Sequence, residues 1–114
     1  MQKIKFRAWK ESAPKGSQMY SWKEIQELDM NIFFHQPEKY KLMQSTSLYD
    51  KAGKEIYIGD LVVCYKEGED LYEVLINDFS QIPVIDCNLG QENLYKCHEK
   101  MTVVGNIHDE MLYY

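Results

Sequence analysis

Residues 3–9 alternate without a break. Ile4, Phe6 and Ala8 fall on one side of an extended chain, and Lys3, Lys5 and Arg7 on the other. The pattern predicts a strand with one buried and one solvated face. Glu11 to Gln18 holds Pro14, Gly16 and two serines, which predicts a loop. Ser21 followed three positions later by Glu24 has the form of a capping box. Trp22, Ile25 and Leu28 then recur at near-helical spacing, so a short helix is expected. Asn31 to His35 reads as a strand, Pro37 interrupts it, and Tyr40 to Thr46 reads as another. On a strand, the consecutive Phe33 and Phe34 point to opposite faces.

The second half is more regular. Asp50-Lys51-Ala52-Gly53-Lys54 predicts a tight turn with Gly53 in the left-handed position. Leu61 to Tyr65 and Leu71 to Ile76 read as strands joined by a turn at Lys66 to Asp70. Ile82 to Cys87 is a third strand, and Pro83 suggests that it lies at a sheet edge. Leu94 to Cys97 reads as a fourth, and Met101 to Ile107 as the last. Gly59 is placed to take a conformation closed to other residues, and Asp60 to accept backbone N–H groups and fix the turn into Leu61-Val62-Val63. Gly105-Asn106 marks a bulge or sharp exit.

Short strands at roughly ten-residue spacing suggest a mainly β, β-rich α+β fold. The expected form is a small SH3-like barrel or curled antiparallel sheet, with an N-terminal strand and one short helix. Residues 1–114 read as one domain. Within it, 1–47 hold the first strand, loop and helix, 48–107 the barrel, and 108–114 a tail.

Composition permits a packed core: 45% of the 114 residues are hydrophobic and 27% charged. Nine tyrosines suit half-buried sheet faces and interfaces alike. The net charge of −5 argues against a duplex nucleic-acid binder, whose affinity comes from neutralising phosphates. The stripe Lys3, Lys5 and Arg7 remains the candidate nucleic-acid contact.

Candidate chemistry is sparse. Cys64, Cys87 and Cys97 form no close pair, and Cys97 and His98 point to opposite sides if they lie on a strand. No metal site is expected. An odd cysteine count and an N-terminus without an apolar signal core point to a reducing bacterial cytoplasm, and no apolar run approaches membrane-spanning length. Cys64 lies between Val63 and Tyr65, which suits a core residue better than a thiolate nucleophile. Asp86 beside Cys87 disfavours a thiolate there. The sequence has no Gly-x-Ser-x-Gly or His-Glu-x-x-His motif and no phosphate-binding glycine loop. Neither catalytic residues nor a cofactor are expected, so the protein reads as a non-enzyme.

Three segments resemble the YopX-like family. They are Phe6-Arg7-Ala8-Trp9, Met43 to Asp60, and Val103-Val104-Gly105-Asn106-Ile107-His108-Asp109. Phe6, Arg7, Trp9, Gly53, Tyr57, Gly59, Asp60, Gly105 and Asn106 are the motif positions. The chain departs from the family pattern at Lys10, where an acidic residue is usual, at Ser47, where glycine is usual, and at Ala52, where asparagine is usual. The resemblance implies an origin in phages or prophages and self-association, and it carries no catalytic residues. Phe33 and Phe34 on opposite strand faces point the same way, since one of them needs a second apolar layer from another subunit.

Two function classes follow. The first is a self-associating, non-enzymatic binding protein that engages a host or phage protein. The alternative is a single-stranded nucleic-acid-binding module that stacks bases on barrel aromatics. An RNase-like toxin barrel is a distant third, suggested only by Gly59-Asp60-Leu61-Val62, and fold alone does not carry function.

Overall fold

The computed structural model describes residues 5–10, 18–63, 71–87 and 90–108. The chain divides into two compact units, residues 1–45 and 46–114.

The first unit is built on β1 (Phe6–Lys10), β2 (Gln18–Tyr20) and the first part of β3 (Tyr40–Tyr49), a strand that runs across the boundary. β1 is antiparallel to both neighbours, with Ala8 opposite Tyr20 on one side and Leu42 on the other. Ala8 of β1 enters a core with Ile25, Phe33 and Tyr40, and Tyr20, Trp22 and Leu42 pack against it. The solvated face expected of this strand is covered instead, with Trp9 buried and Arg7 half-buried on the side opposite Ala8. Two short helices, α1 (Trp22–Glu27) and α2 (Met30–Phe34), supply Ile25 and Phe33. The capping box of α1 is formed. Glu24 N–H donates to Ser21 Oγ, Ser21 N–H donates to the Glu24 carboxylate, and both distances are 3.2 Å. These bonds satisfy N–H groups that a helix start otherwise leaves without partners.

The strand expected at Asn31 to His35 is a helix. Asp29 caps it by accepting the Asn31 N–H at 2.9 Å. Consecutive helical residues lie about 100° apart around the axis, so Phe33 and Phe34 do not face opposite ways. Phe33 enters the core, with ring centroids 5.1 Å from Tyr20 and 4.7 Å from Tyr40. Phe34 lies edge-on to Phe6 at 5.5 Å. Both rings find neighbours within the chain, and the argument that one of them requires another subunit loses its premise.

The second unit holds the end of β3, β4 (Glu55–Tyr57), β5 (Asp60–Val63), β6 (Leu71–Ile76), β7 (Pro83–Cys87), β8 (Gly90–Asn93), α3 (Leu94–Cys97), a 3-10 turn (His98–Lys100) and β9 (Thr102–Asn106). Its five-stranded sheet is antiparallel, in the order β8-β7-β6-β5-β9. Ile56, Val62, Val74, Ile85, Leu94, Cys97, Met101 and Val103 form its core. The protein is therefore mainly β, a curled antiparallel sheet with few helices.

Three expectations need correction here. Leu94–Cys97 is a helix, because Asn93 caps it by accepting the Tyr95 N–H at 2.9 Å and because one helical turn carries both Leu94 and Cys97 into the core. The helices among the described residues thus exceed the one expected. β7 is an interior strand, not an edge. Pro83 opens that strand opposite Ile76, at the end of the ladder, where a missing N–H breaks no interior bond. The bulge lies one residue before Gly105. Leu61 faces Gly105 and Val62 faces Val103, which leaves Val104 as the extra residue. The turn at 66–70, Cys64, Lys3 and residues 109–114 lie outside the described residues.

Candidate functional site

The motif residues of the second unit converge on backbone, not on a cleft. Asp50 is buried at the start of the β3–β4 turn. Its Oδ1 accepts the N–H groups of Ala52 and Lys54 at 2.9 and 2.8 Å, and its Oδ2 accepts Val103 N–H at 2.9 Å. One carboxylate therefore closes the turn and ties it to β9. Burial alone pushes this carboxyl up. The Val103, Lys54 and Ala52 N–H groups, with the Lys54 ammonium, outweigh burial and hold it below its usual value. Gly53 completes the turn at φ +84, with open space where a side chain would project.

Asp60 is fully buried and accepts Tyr57 N–H at 2.7 Å. Gly59, at φ +96, donates its N–H to Val74 O and accepts Ile107 N–H through its carbonyl. Asp60 pairs with Asn106 across the β5–β9 ladder. The segment around Gly59-Asp60 and the segment around Gly105-Asn106 are thus two sides of one joint. Such an arrangement fixes strand directions and commits the Asp50 and Asp60 carboxylates to backbone N–H groups.

In the first unit Phe6 packs against Trp22 and Phe34. Trp9 is buried, and its indole N–H meets no hydrogen-bond acceptor among the described residues. The candidate nucleic-acid stripe is divided. Lys3 is outside the described residues, and Lys5 and Arg7 are half-buried, with the Arg7 Nε itself inaccessible. No group of three His, Cys, Asp or Glu residues placed to hold a metal occurs among the described residues. No helix there is long and apolar enough to cross a membrane. Cys97 is buried. His98 Nδ1 donates to the Tyr49 carbonyl at 2.7 Å, a turn-fixing contact and not a ligand geometry.

Two surface features remain. Leu28, Met30, Ile32 and Phe34 are all exposed in the first unit, Leu28 to 61%. In the second unit the loop joining β6 to β7 holds Phe79 at its tip, 98% exposed. Phe79 is itself one wall of an open groove of ≈ 490 Å³, whose lining also includes Ile58, Leu75, Ile76 and Gln91. Of these residues, sequence marks only Phe34, through its pairing with Phe33, as one that could lack a partner. The others look like ordinary core-forming residues, and only the tertiary arrangement leaves them in water.

The chain spans 98% of its own length and 99% of the other in a match to the crystal structure of protein EF1440 from Enterococcus faecalis, with a TM-score of 0.58 and 22% identity. At that identity the likeness speaks for the fold alone. No curated protein matches the chain. The family model described as YopX protein matches residues 2–111, nearly the whole length. That match takes in all three motif segments whose backbone joints are described above, and the chain belongs to the YopX protein family.

Proposed function

We propose that this is a phage or prophage accessory protein that works by binding other protein chains, copies of itself included, and not by catalysis. The observation that carries this reading is the exposure of Leu28, Met30, Ile32 and Phe34 in and just before α2. Leu28 is 61% exposed, and Met30, Ile32 and Phe34 are each about two-fifths exposed, while their neighbours Ile25 and Phe33 fill a core. Large apolar residues left exposed within one short segment favour a protein partner over a small polar ligand. The buried carboxylates Asp50 and Asp60, committed to backbone N–H groups, weigh against an acid–base centre. The net charge of −5 and the half-buried Lys5 and Arg7 weigh against single-stranded nucleic acid as the ligand. The cysteine usage supports a reducing cytoplasm as the place of action.

Size exclusion with light scattering tests self-association. The expected mass is a multiple of 13.5 kDa. A clean monomer throughout the micromolar range defeats that part of the reading.

A further inference from the structure

The turn between α2 and β3 gathers cations at one end of the first unit's core. Lys39 stands in the turn, and Lys10 lies directly opposite Tyr40 on the neighbouring strand β1. Their two ammonium groups sit over one ring, Lys10 at 5.9 Å and Lys39 at 5.6 Å from the Tyr40 centroid. Tyr40 is buried and packs against Phe33 at 4.7 Å, so the ring has a fixed place. Lys41, next in the chain, donates from Nζ to the Pro37 carbonyl at 3.0 Å. The turn itself is closed by the N–H groups of Lys39 and Tyr40, which donate to Gln36 O at 3.0 and 2.9 Å. Ring attraction and a carbonyl bond thus draw three positive charges to one place. None of the three forms an ion pair with a carboxylate among the described residues. Glu38, the one acid of the turn, is exposed and pairs with none of them. A hollow of ≈ 330 Å³ opens beside Lys39, lined by residues 35–39.

The charge of the whole chain is divided in the same sense. Residues 1–45 hold eight Lys and Arg against five Asp and Glu, and residues 46–114 hold five against thirteen. The turn is therefore a cationic feature of a cationic unit, inside a chain whose net charge is −5.

We propose that this turn receives an acidic segment of another protein, whose carboxylates close on Lys10, Lys39 and Lys41. The proposal rests on the protein-binding reading above and gives the partner its charge. An anion between these ammonium groups relieves their mutual repulsion. The ring and the Pro37 carbonyl already hold the long side chains in place, so less ordering remains to be done on binding. Phe34 precedes the turn directly and is about two-fifths exposed, which offers such a segment an apolar neighbour. A nucleic-acid strand fits less well. It carries a charge at every nucleotide and runs on past three lysines, where the net −5 of the chain repels it. A peptide with two or three carboxylates ends where the cations end.

Fluorescence anisotropy with labelled octaglutamate tests the contact, with octathymidylate and octalysine as comparison probes. The proteins are wild type, Lys39→Gln, the Lys10→Gln/Lys39→Gln double variant, Glu38→Gln, and Lys96→Gln as a control in the second unit. Lys39, Glu38 and Lys96 are exposed, so the single variants should keep the wild-type circular dichroism spectrum. Wild type is expected to bind octaglutamate in preference to the other two probes, and more weakly as salt rises. Lys39→Gln should weaken binding at least about threefold and the double variant at least about tenfold, whereas Glu38→Gln, by removing a repelling charge, should tighten it. Lys96→Gln should change nothing. Equal affinity for octathymidylate marks a general anion site and overturns the proposal, as does octaglutamate binding that ignores Lys39→Gln and Glu38→Gln. A wild-type oligomer that the lysine variants dissolve assigns the turn to a second copy and overturns it too. A wild type that self-associates but takes no octaglutamate keeps the protein-binding reading and defeats this contact alone. A monomer that takes none defeats both.

Discussion

Asp50 holds three backbone N–H groups with one carboxylate, and its behaviour with pH follows from that count. Its folded-state value lies below the ordinary 3.8. The stability it contributes is therefore fully present above that ordinary value, and it is lost as pH falls through the lower, folded-state value. Asp50→Asn keeps the shape but removes the charge, and should cost about 2 kcal/mol near neutral pH, the scale of hydrogen bonds to a charged group. Urea midpoints of the two proteins should differ by a constant amount down to about pH 5 and converge at lower pH. A gap that does not change with pH would show that the charge contributes nothing. Ser47 makes a second residue-scale case. It sits at φ 62, where a β-carbon is strained and glycine is not. The glycine usual in the family at this position thus has a backbone reason. Ser47→Gly should melt higher than Ser47→Val by more than about 1 kcal/mol, since a β-branched residue fits the left-handed region worst. Equal melting temperatures would remove the strain argument.

Elements were legible where their pattern was long or chemically marked. β1 and β6 showed in apolar positions, and α1 in Ser21 and Glu24, whose side chains do form the box. The misread elements, α2 and α3, have five and four residues. One turn of helix is too short to display a 3.6-residue period, so Asn-Ile-Phe-Phe-His and Leu-Tyr-Lys-Cys pass for strands by composition. The usable signal lay just ahead of them, in the capping side chains Asp29 and Asn93. Pro83 misled for a related reason. Proline excludes a strand interior, but it is tolerated at the first residue of a strand, and sequence alone does not say which residue is first. The exposure of Leu28 was illegible for a different cause. Ile25 and Leu28 belong to one helical pattern, yet Ile25 is fully buried and Leu28 is largely exposed. The pattern selects a face and cannot say how far the rest of the unit covers it. Asp50 was recognised only as part of a turn. An Asp two residues ahead of a backbone N–H is a known turn former, but its third bond, to Val103, spans 53 positions and belongs to tertiary structure.

At the scale of the molecule, the two units differ in what holds each one. Among the described residues, the core cluster of the first is Ala8, Ile25, Phe33 and Tyr40, under two helices of six and five residues. The core cluster of the second, among the described residues, has eight members around a five-stranded ladder. Helices that short are not stable alone and depend on the packing of Ile25 and Phe33. The ladder of the second unit is cross-braced by the Asp50 bond to Val103 and by the Gly59 bonds to Val74 and Ile107. Local opening should follow this difference, because few buried apolar contacts and exposed backbone hydrogen bonds lower the free energy of opening. Native-state hydrogen exchange is therefore expected to find its slowest amides at Val62, Val74 and Ile85, all buried in the second core. Those of Leu28, Ile32 and His35, whose N–H groups bond within the short exposed helices, should exchange at least about a hundredfold faster, through openings that leave the sheet intact. The comparison also bears on function, since Leu28, Met30, Ile32 and Phe34 lie in the segment predicted to open first. If the proposed function holds, a binding partner that covers these residues should slow exchange there and leave the sheet amides unchanged. Protection in residues 22–35 equal to that of the sheet, in free protein, would mean that the two units open as one and that core size does not govern the order.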